Sequence, residues 1–135
     1  MKNNYSALTL DELPKRLSSI NAITDQIGSN FSEWKVTEVG DGNLNLVFIV
    51  ISKKGKIVIK QALPYVRVVG ESWPLTLDRA FFEYNALVRQ EKRDPGISPS
   101  VFYFDREQGL IAMECLDNYK ILRGKLIAGE KVKNL

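Results

Sequence analysis

Residues 39–60, VGDGNLNLVFIVISKKGKIVIK, form the stretch that decides the fold of this chain. The stretch predicts a strand that ends in a glycine-rich turn at 40–45, a second strand, a tight turn at 52–55 and a third strand. The second strand, at 46–51, is continuously apolar and rich in β-branched residues, which indicates a position inside a sheet. The three strands therefore predict the centre of a sheet with a glycine-rich turn at one end.

The third strand, residues 56–61, carries a lysine within a mostly apolar stretch. Alternation places Ile57 and Ile59 on one face of this strand, and Val58 and Lys60 on the other. Because an ammonium group is costly to bury without an anion beside it, Lys60 predicts an anionic neighbour.

The turn at 40–45, GDGNLN, combines two glycines with two asparagines. These residues tolerate positive φ angles, and glycine lets the backbone approach a ligand closely. Such a turn, with an ammonium aimed at it, suits the binding of phosphates. A G-x-G turn alone is more often part of an ordinary hairpin, and the P-loop pattern G-x-x-x-x-G-K-[ST] is absent from the sequence.

A helix is predicted at about 75–92, and Pro95 and Gly96 end it. Glu83 lies at the edge of the buried face of this helix, where it needs a cation, and Lys60 is the expected partner. The predicted buried stripe of the helix consists of Leu77, Phe81, Tyr84 and Val88.

Other elements surround this unit. A helix within 1–30, beginning near Thr9, is expected to pack onto the outside of the sheet. Its predicted apolar stripe consists of Leu10, Leu13, Leu17 and Ile20. Residues 62–74 form a long connection of a kind that is often functional. Two further strands are predicted at 100–105 and 110–114, joined by a tight turn.

The composition argues against several classes of function. The 135 residues carry a net charge of +3, and the basic residues are spread along the chain, which does not indicate a nucleic-acid-binding surface. One cysteine and no histidine rule out an internal disulfide and a Ser-His or Cys-His catalytic pair in this sequence, and make zinc unexpected. No signal peptide is apparent, and the longest apolar run is too short to cross a membrane. A single thiol fits a reducing cytoplasm best.

The order of glycine-rich turn, strand lysine, helix glutamate and two further strands resembles the N-terminal lobe of protein-kinase-like phosphotransferases. The sequence is also similar to the S-methyl-5-thioribose kinase family. The segments that carry this second resemblance are GDGNLNLVF (40–48), VIKQALPYVRVVGESWPLTLDRA (58–80), FYFDREQGLIAMECL (102–116) and ILRGKLIAGEK (121–131).

The resemblance implies an α+β fold: a kinase-like N-lobe with a five-stranded antiparallel sheet, one main helix and an N-terminal helix. It divides the chain into an N-terminal helical segment at 1–30, a nucleotide-binding lobe at 31–118 and the start of a linker at 119–135. The loop at 62–74, which carries Trp73, is expected to border the active site.

The resemblance also implies an ATP site. Lys60, paired with Glu83, would bind the α and β phosphates under the glycine loop, and the backbone of Glu114 and Leu116 would bind the adenine edge. The full set of expected nucleotide-binding residues is Gly40, Gly42, Asn43, Val47, Val58, Lys60, Glu83, Met113, Glu114, Cys115 and Leu116. Alternatives remain open for several of them: Asn43 as a turn residue, Val47, Val58 and Met113 as core, and Glu83 as a surface ion pair.

Two positions depart from the expected patterns. Asn45 stands where protein kinases have a third glycine, and Cys115 stands where an acidic residue is expected. Cys115 is interpreted as a small buried side chain, with a reactive thiol as the alternative.

The implied reaction is ATP-dependent phosphorylation of S-methyl-5-thioribose to the 1-phosphate, in methionine salvage. No H-x-D segment or metal-binding acidic segment is found, so the catalytic base and the Mg²⁺ ligands are expected in a C-terminal lobe outside these 135 residues. No catalytic residue and no metal ligand are therefore assigned here, and the chain alone is predicted to be inactive. The alternative is a non-catalytic nucleotide-binding or assembly module, with a homodimer as one form.

Overall fold

The computed structural model describes residues 4–40 and 42–133. Its main feature is a five-stranded antiparallel sheet with the strand order β1-β2-β3-β7-β6. In chain order, the strands are β1 (Lys35–Glu38), β2 (Asn45–Ile51), β3 (Lys56–Ala62), β4 (Tyr65–Val66), β5 (Gly70–Pro74), β6 (Val101–Asp105) and β7 (Leu110–Glu114). The helices are α1 (Leu13–Leu17), α2 (Asn21–Ile27), α3 (Asp78–Arg93) and α4 (Leu122–Ile127), with a 3-10 turn at Phe31–Glu33. The predicted α+β class and five-stranded sheet are confirmed, and they fit a kinase N-lobe.

The main core lies between one face of the sheet and the two N-terminal helices. Alternate residues of β2 and β3 point into it, as their two-residue period requires. The helices contribute four side chains that are at most 1% exposed: Leu13, Leu17, Ile23 and Ile27. Burial of each such side chain contributes roughly 1.5–3 kcal/mol. The sheet's second face, which carries Lys60, is therefore the one that faces α3.

The N-terminal region contains two short helices instead of the single helix predicted. Helix α1 ends at Leu17, and Ile20 has an extended backbone that starts a new helix. The hydroxyls of Ser18 and Ser19 donate hydrogen bonds to the carbonyls of Lys15 and Arg16, 2.9 and 3.3 Å away. Such side-chain bonds compete with continuation of a helix. Because of this break, Leu13 and Leu17 face the core from α1, and Ile23 and Ile27 face it from α2.

The predicted start of that stripe also needs correction. Leu10 is 47% exposed, because it lies in the turn before α1. Thr9 stabilises this turn, because its hydroxyl accepts a hydrogen bond from the Glu12 N–H at 3.3 Å.

A fully buried glutamine fastens the N-terminal segment to the sheet. The Gln61 Oε1 accepts a hydrogen bond from the Leu8 N–H at 2.8 Å, and its Nε2 donates to the carbonyls of Ser6 and Gln108 at 3.0 and 3.1 Å. The Gln61 side chain is 0% exposed, so these bonds replace the hydrogen bonds that its amide makes with water in the unfolded chain.

The connection predicted at 62–74 contains a second, two-stranded sheet. Strands β4 and β5 pair antiparallel across a turn at 67–69, and Gly70, the first residue of β5, has a φ of +80°. The sequence pattern did not predict these strands, because only Tyr65 and Val66 form β4. Their short length leaves little periodic signal.

Helix α3 covers part of the sheet's second face. Ala80 is its buried residue, and the predicted burial of Val88 is wrong, since that side chain is 41% exposed. Phe81, Glu83 and Tyr84 contact side chains of the sheet, and Val88 lies one turn beyond them. The buried stripe of α3 is therefore shorter than the sequence predicts, because it does not extend to Val88.

No helix in the described ranges, 4–40 and 42–133, is both long enough and apolar enough to cross a membrane.

Candidate functional site

The centre of the candidate site is an ion pair between a strand and a helix. The Nζ of Lys60, in β3, lies 2.6 Å from the Oε1 of Glu83, in α3. The two side chains are 26% and 33% exposed, so both remain accessible from solvent. The contact predicted from the sequence is therefore present, and the ammonium has further donors available for an anion.

Aromatic packing positions the helix that carries Glu83. The ring of Tyr84 stacks on that of Phe104 in β6, with 4.4 Å between centroids and 5° between planes. The guanidinium of Arg106 lies 4.1 Å from the centre of the Phe81 ring and bonds to Asp78 at 3.2 Å. These contacts fix α3 along the edge strand, which brings Glu83 over the middle of the sheet.

The glycine loop joins β1 to β2 at the end of the sheet, and its two glycines have different roles. A Cβ on Gly42 would lie 2.8 Å from the Asn45 carbonyl oxygen, whereas a Cβ on Gly40 would have nothing within 4 Å. Gly42 is thus needed for the loop's own close packing, and Asp41 lies outside the described residues.

The loop is held by hydrogen bonds that the sequence did not indicate. The Asn43 carbonyl accepts a bond from the Arg67 N–H at 2.8 Å, and the Arg67 guanidinium binds Glu38 at 2.9 Å. The Leu44 carbonyl accepts bonds from the Leu63 N–H at 3.0 Å and from the Arg79 guanidinium at 3.1 Å. Residues of the β4–β5 segment and of α3 therefore both form hydrogen bonds with the loop.

An apolar strip lies beside Lys60 on the same face of the sheet. Val47 is opposite Lys60 in the β2–β3 register, and Val58 is opposite Met113 in the β3–β7 register. Val47 and Val58 are half-buried, and Met113 is 8% exposed. The structure also puts Ile49 in this strip, opposite Val58, although the sequence reasoning did not select it. A flat apolar group could lie against this strip with its polar end toward Lys60.

The segment after β7 leaves the sheet at Glu114, as predicted. The Glu114 Oε2 accepts a hydrogen bond from the Ser100 N–H at 3.1 Å, which ties the strand end to the start of β6. Cys115 and Leu116 follow outside the strand, and Leu116 is 41% exposed. Glu114, Cys115 and Leu116, which the resemblance assigns to adenine binding, thus lie on the far side of the apolar strip from the glycine loop.

An ion pair between Asp117 and Lys56 connects this segment to β3. The sequence reasoning did not select Asp117. Its carboxylate lies 2.5 Å from the Lys56 Nζ, and the hydrogen bond from that ammonium lowers the Asp117 pKa. Burial, followed by the neighbouring Asp117 carboxylate, raises the pKa of the Cys115 thiol. A raised pKa keeps the thiol protonated at neutral pH, which argues against a reactive cysteine.

The chemistry of the described residues around Lys60 suits a nucleotide. A paired ammonium at one end of an apolar strip fits a molecule with phosphates and a flat base. Within 4–40 and 42–133, no group of three or more His, Cys, Asp or Glu side chains could hold a metal ion.

An open groove of about 710 Å³ lies elsewhere, on the N-terminal helices. Its lining contains none of the predicted nucleotide-binding residues and consists of Asn4, Ser6, Asp11, Glu12, Lys15, Arg16, Ser19 and Gln108. Its cations and anions are mixed, so it does not indicate one class of ligand.

Comparison with known proteins gives a consistent set of relatives. The chain is 48% identical over 134 residues to a methylthioribose kinase of Escherichia coli, and 46% identical over 123 residues to methylthioribose kinase 1 of Oryza sativa. It is 46% identical over 122 residues to a methylthioribose kinase of Bacillus velezensis. These matches cover 98%, 89% and 87% of this chain, but 32%, 29% and 31% of the relatives. The chain thus spans about a third of their length, and no family model matches it.

Proposed function

We propose that this chain, which belongs to the methylthioribose kinase family by sequence, is the ATP-binding lobe of an enzyme that phosphorylates S-methyl-5-thioribose. The observation that carries the proposal is the 2.6 Å contact between Lys60 and Glu83 at the end of an apolar strip. The product would be the 1-phosphate, as part of methionine salvage in the cytoplasm. The names of the relatives support the kinase and its sugar substrate.

Lys60 is the proposed phosphate-binding cation. Its Nζ would donate to the α and β phosphates while Glu83 holds its direction, which lowers the cost of ordering a flexible side chain on binding. The glycine loop, with Gly40, Gly42 and Asn43, would cover the phosphates from above with backbone N–H groups.

The apolar strip is the proposed adenine surface. Val47, Val58 and Met113 would contact the base, and the backbone of Glu114 and Leu116 would bind its polar edge, with Cys115 between them. Backbone recognition does not depend on the side chain at 115, so cysteine at this position is compatible with the role.

These 135 residues are proposed to bind the nucleotide without completing the transfer. A phosphotransferase needs a group that accepts the proton of the attacking hydroxyl, and this usually is an aspartate beside metal ligands. The chain has no histidine and no H-x-D segment, and its described acidic residues form no ligand group. Mg²⁺, when bound, would neutralise phosphate charge, but no residue of this chain is assigned to it.

Titration of the chain with ATP, followed by calorimetry, tests the proposed role. We expect saturable binding that Lys60→Met weakens at least about tenfold, because the lost contacts are charge-assisted. Lys54→Met, at an exposed turn position, is the matched control and should bind as the wild type does. Equal binding by the Lys60 and Lys54 variants would contradict the assignment.

An assay of ADP release with S-methyl-5-thioribose tests the second half of the proposal. We expect no substrate-dependent ADP release from the chain itself, because no general base is assigned in it. A rate like that of a complete kinase would show that these residues contain the catalytic machinery after all.

A second candidate function, assembly, rests on an exposed apolar segment at 116–127. Six of its large apolar or aromatic side chains are between 41% and 78% exposed: Leu116, Tyr119, Ile121, Leu122, Leu126 and Ile127. Such a surface is typical of a protein contact. We propose that it contacts the remaining part of a full-length kinase, with a homodimer as the alternative. Light scattering of the chain at several concentrations separates the two, since only the homodimer doubles the mass.

A further inference from the structure

One arginine links the two elements that the proposed site needs to hold together. Arg79 lies in the first turn of α3, four residues before Glu83, so the two project from the same side of that helix. Glu83 binds the strand lysine, and Arg79 reaches in the other direction, to the glycine loop. A single helix face thus contacts both phosphate-binding elements.

The contacts of Arg79 join three segments. Its Nη2 donates hydrogen bonds to the carbonyls of Leu44, at 3.1 Å, and Leu63, at 2.9 Å, and its Nε donates to the Thr76 carbonyl at 3.2 Å. Leu44 belongs to the glycine loop, and Leu63 immediately follows β3. A planar guanidinium can serve several carbonyls in fixed directions, whereas a lysine ammonium reaches fewer of them at once.

These bonds also determine which way the loop's carbonyls face. The Leu44 carbonyl is occupied by Arg79 and by the Leu63 N–H, and the Asn43 carbonyl by the Arg67 N–H. Carbonyl oxygens repel phosphate oxygens, so a loop that binds phosphates has to turn them away from the ligand. Donors outside the loop accomplish this here.

We infer that Arg79 is a positioning residue that couples the position of α3 to the conformation of the glycine loop. It does not contact the nucleotide. It holds the loop in its phosphate-binding conformation only while α3 also holds Glu83 against Lys60. This inference rests on the proposed nucleotide-binding function.

Hydrogen exchange and nucleotide titration on Arg79→Met test the inference. Methionine keeps an apolar stem and removes all three bonds. We expect amide exchange in residues 42–46 and 63–67 to rise at least about tenfold, since tenfold corresponds to a loss of about 1.4 kcal/mol in local stability. Affinity for ATP should fall about tenfold, and affinity for adenosine less than about twofold, because only the phosphates depend on the loop.

Two further variants complete the design. Arg89→Met changes an exposed arginine on the same helix and should leave exchange and both affinities unchanged. Arg79→Lys should restore part of the protection, because an ammonium can bind one or two of the carbonyls. It also serves as the test variant if Arg79→Met does not fold, and its exchange in the loop must then exceed that of the wild type.

The outcomes separate failure of the inference from failure of the proposed function. If loop exchange is unchanged in the Arg79 variants, or if ATP and adenosine affinities fall equally, the inference is wrong. If the wild-type chain binds neither ligand, the proposed function fails for this chain. The exchange measurement then still decides whether Arg79 holds the loop.

Discussion

The Lys60 Nζ and the Glu83 Oε1 lie 2.6 Å apart, although 23 residues separate them in the chain. The strand supplies the cation from the centre of the sheet, and the helix supplies the carboxylate from above it. Because both side chains are partly exposed, their attraction to each other contributes at most about 1 kcal/mol to folding. The pair therefore contributes little to folding, and the role proposed for it is in nucleotide binding.

The first prediction concerns Glu83. Glu83→Gln should leave the thermal stability of the chain within about 1 kcal/mol of the wild type, because the pair is partly exposed. It should weaken ATP binding by about three- to tenfold, since Lys60 loses the carboxylate that orients it. Calorimetric titration and thermal unfolding check the two effects. Glu91→Gln, farther along the same helix, is the control for ATP binding, and an equal loss of affinity in both would exclude a specific role for Glu83.

The second prediction separates the two glycines of the loop. Gly42→Ala should destabilise the loop by about 1–3 kcal/mol, because its Cβ would lie 2.8 Å from a backbone carbonyl that cannot move freely. Gly40→Ala should change little, since a Cβ there would have no described atom within 4 Å apart from its chain neighbours. Amide exchange at residues 43–46 measures the difference. Faster exchange in Gly40→Ala than in Gly42→Ala would contradict the described geometry.

The third prediction concerns the buried amide of Gln61. Gln61→Ala should lower the free energy of unfolding by about 2–4 kcal/mol, because it removes three hydrogen bonds and leaves the Leu8 N–H unpaired. Urea unfolding measures this loss. Gln90→Ala, at an exposed site on α3, should stay within about 0.5 kcal/mol. Similar values for the two variants would show that the N-terminal segment does not depend on Gln61.

The fourth prediction is a pH dependence at Tyr5. Burial, together with the neighbouring Tyr65, raises the pKa of Tyr5 to about 12, and its hydroxyl donates a hydrogen bond to the Ala62 carbonyl at 3.0 Å. A raised pKa means that the stabilisation is complete below pH 10 and is lost as the pH rises to about 12. Tyr5→Phe should therefore be less stable by about 1 kcal/mol at pH 8, and the difference should shrink above pH 10.

Urea unfolding between pH 8 and 11.5 measures the effect of Tyr5. Tyr119→Phe, at a position that is 70% exposed, is the control and should follow the wild type throughout. A stability difference for Tyr5→Phe that stays constant over this range would contradict a role for its ionisation.

The fifth prediction concerns the thiol of Cys115. Because burial and Asp117 raise its pKa, alkylation by iodoacetamide at pH 8 should be slower than that of an unfolded control peptide. Asp117→Asn should make alkylation faster than in the wild type, since it removes the negative charge beside the sulfur. Lys56→Met should make alkylation slower than in the wild type, since it removes the positive charge that lowers the thiol pKa. The reversed order for the two variants would refute this electrostatic account.

Several features of the fold could be predicted from the sequence. Alternation assigned Ile57 and Ile59 to the core face and Lys60 to the other face, because side chains in a strand alternate regardless of what surrounds them. The hairpin turn at 52–55 is also present, with the Ser52 N–H bonded to the Gly55 carbonyl at 2.8 Å. The roles of the site residues toward ATP stay predictions.

Other features could not be predicted, for identifiable reasons. The break between α1 and α2 depends on local bonds of Ser18 and Ser19 that leave the apolar spacing almost unchanged. The exposure of Val88 depends on how far along α3 the sheet extends. Periodicity describes one element at a time, and both outcomes depend on what lies next to it.

The sequence by itself determined the strands of the five-stranded sheet, the core-facing side of β3 and the presence of one lysine on its other face, because these follow from spacing along the chain. Only the tertiary structure decided that Tyr84 stacks on Phe104, that the expected Lys60–Glu83 pair closes to 2.6 Å and that Arg79 reaches the Leu44 carbonyl. The physical reason is that hydrogen bonds and ion pairs act over about 3 Å. Residues far apart in the chain come within that range only after the helix and the sheet have packed.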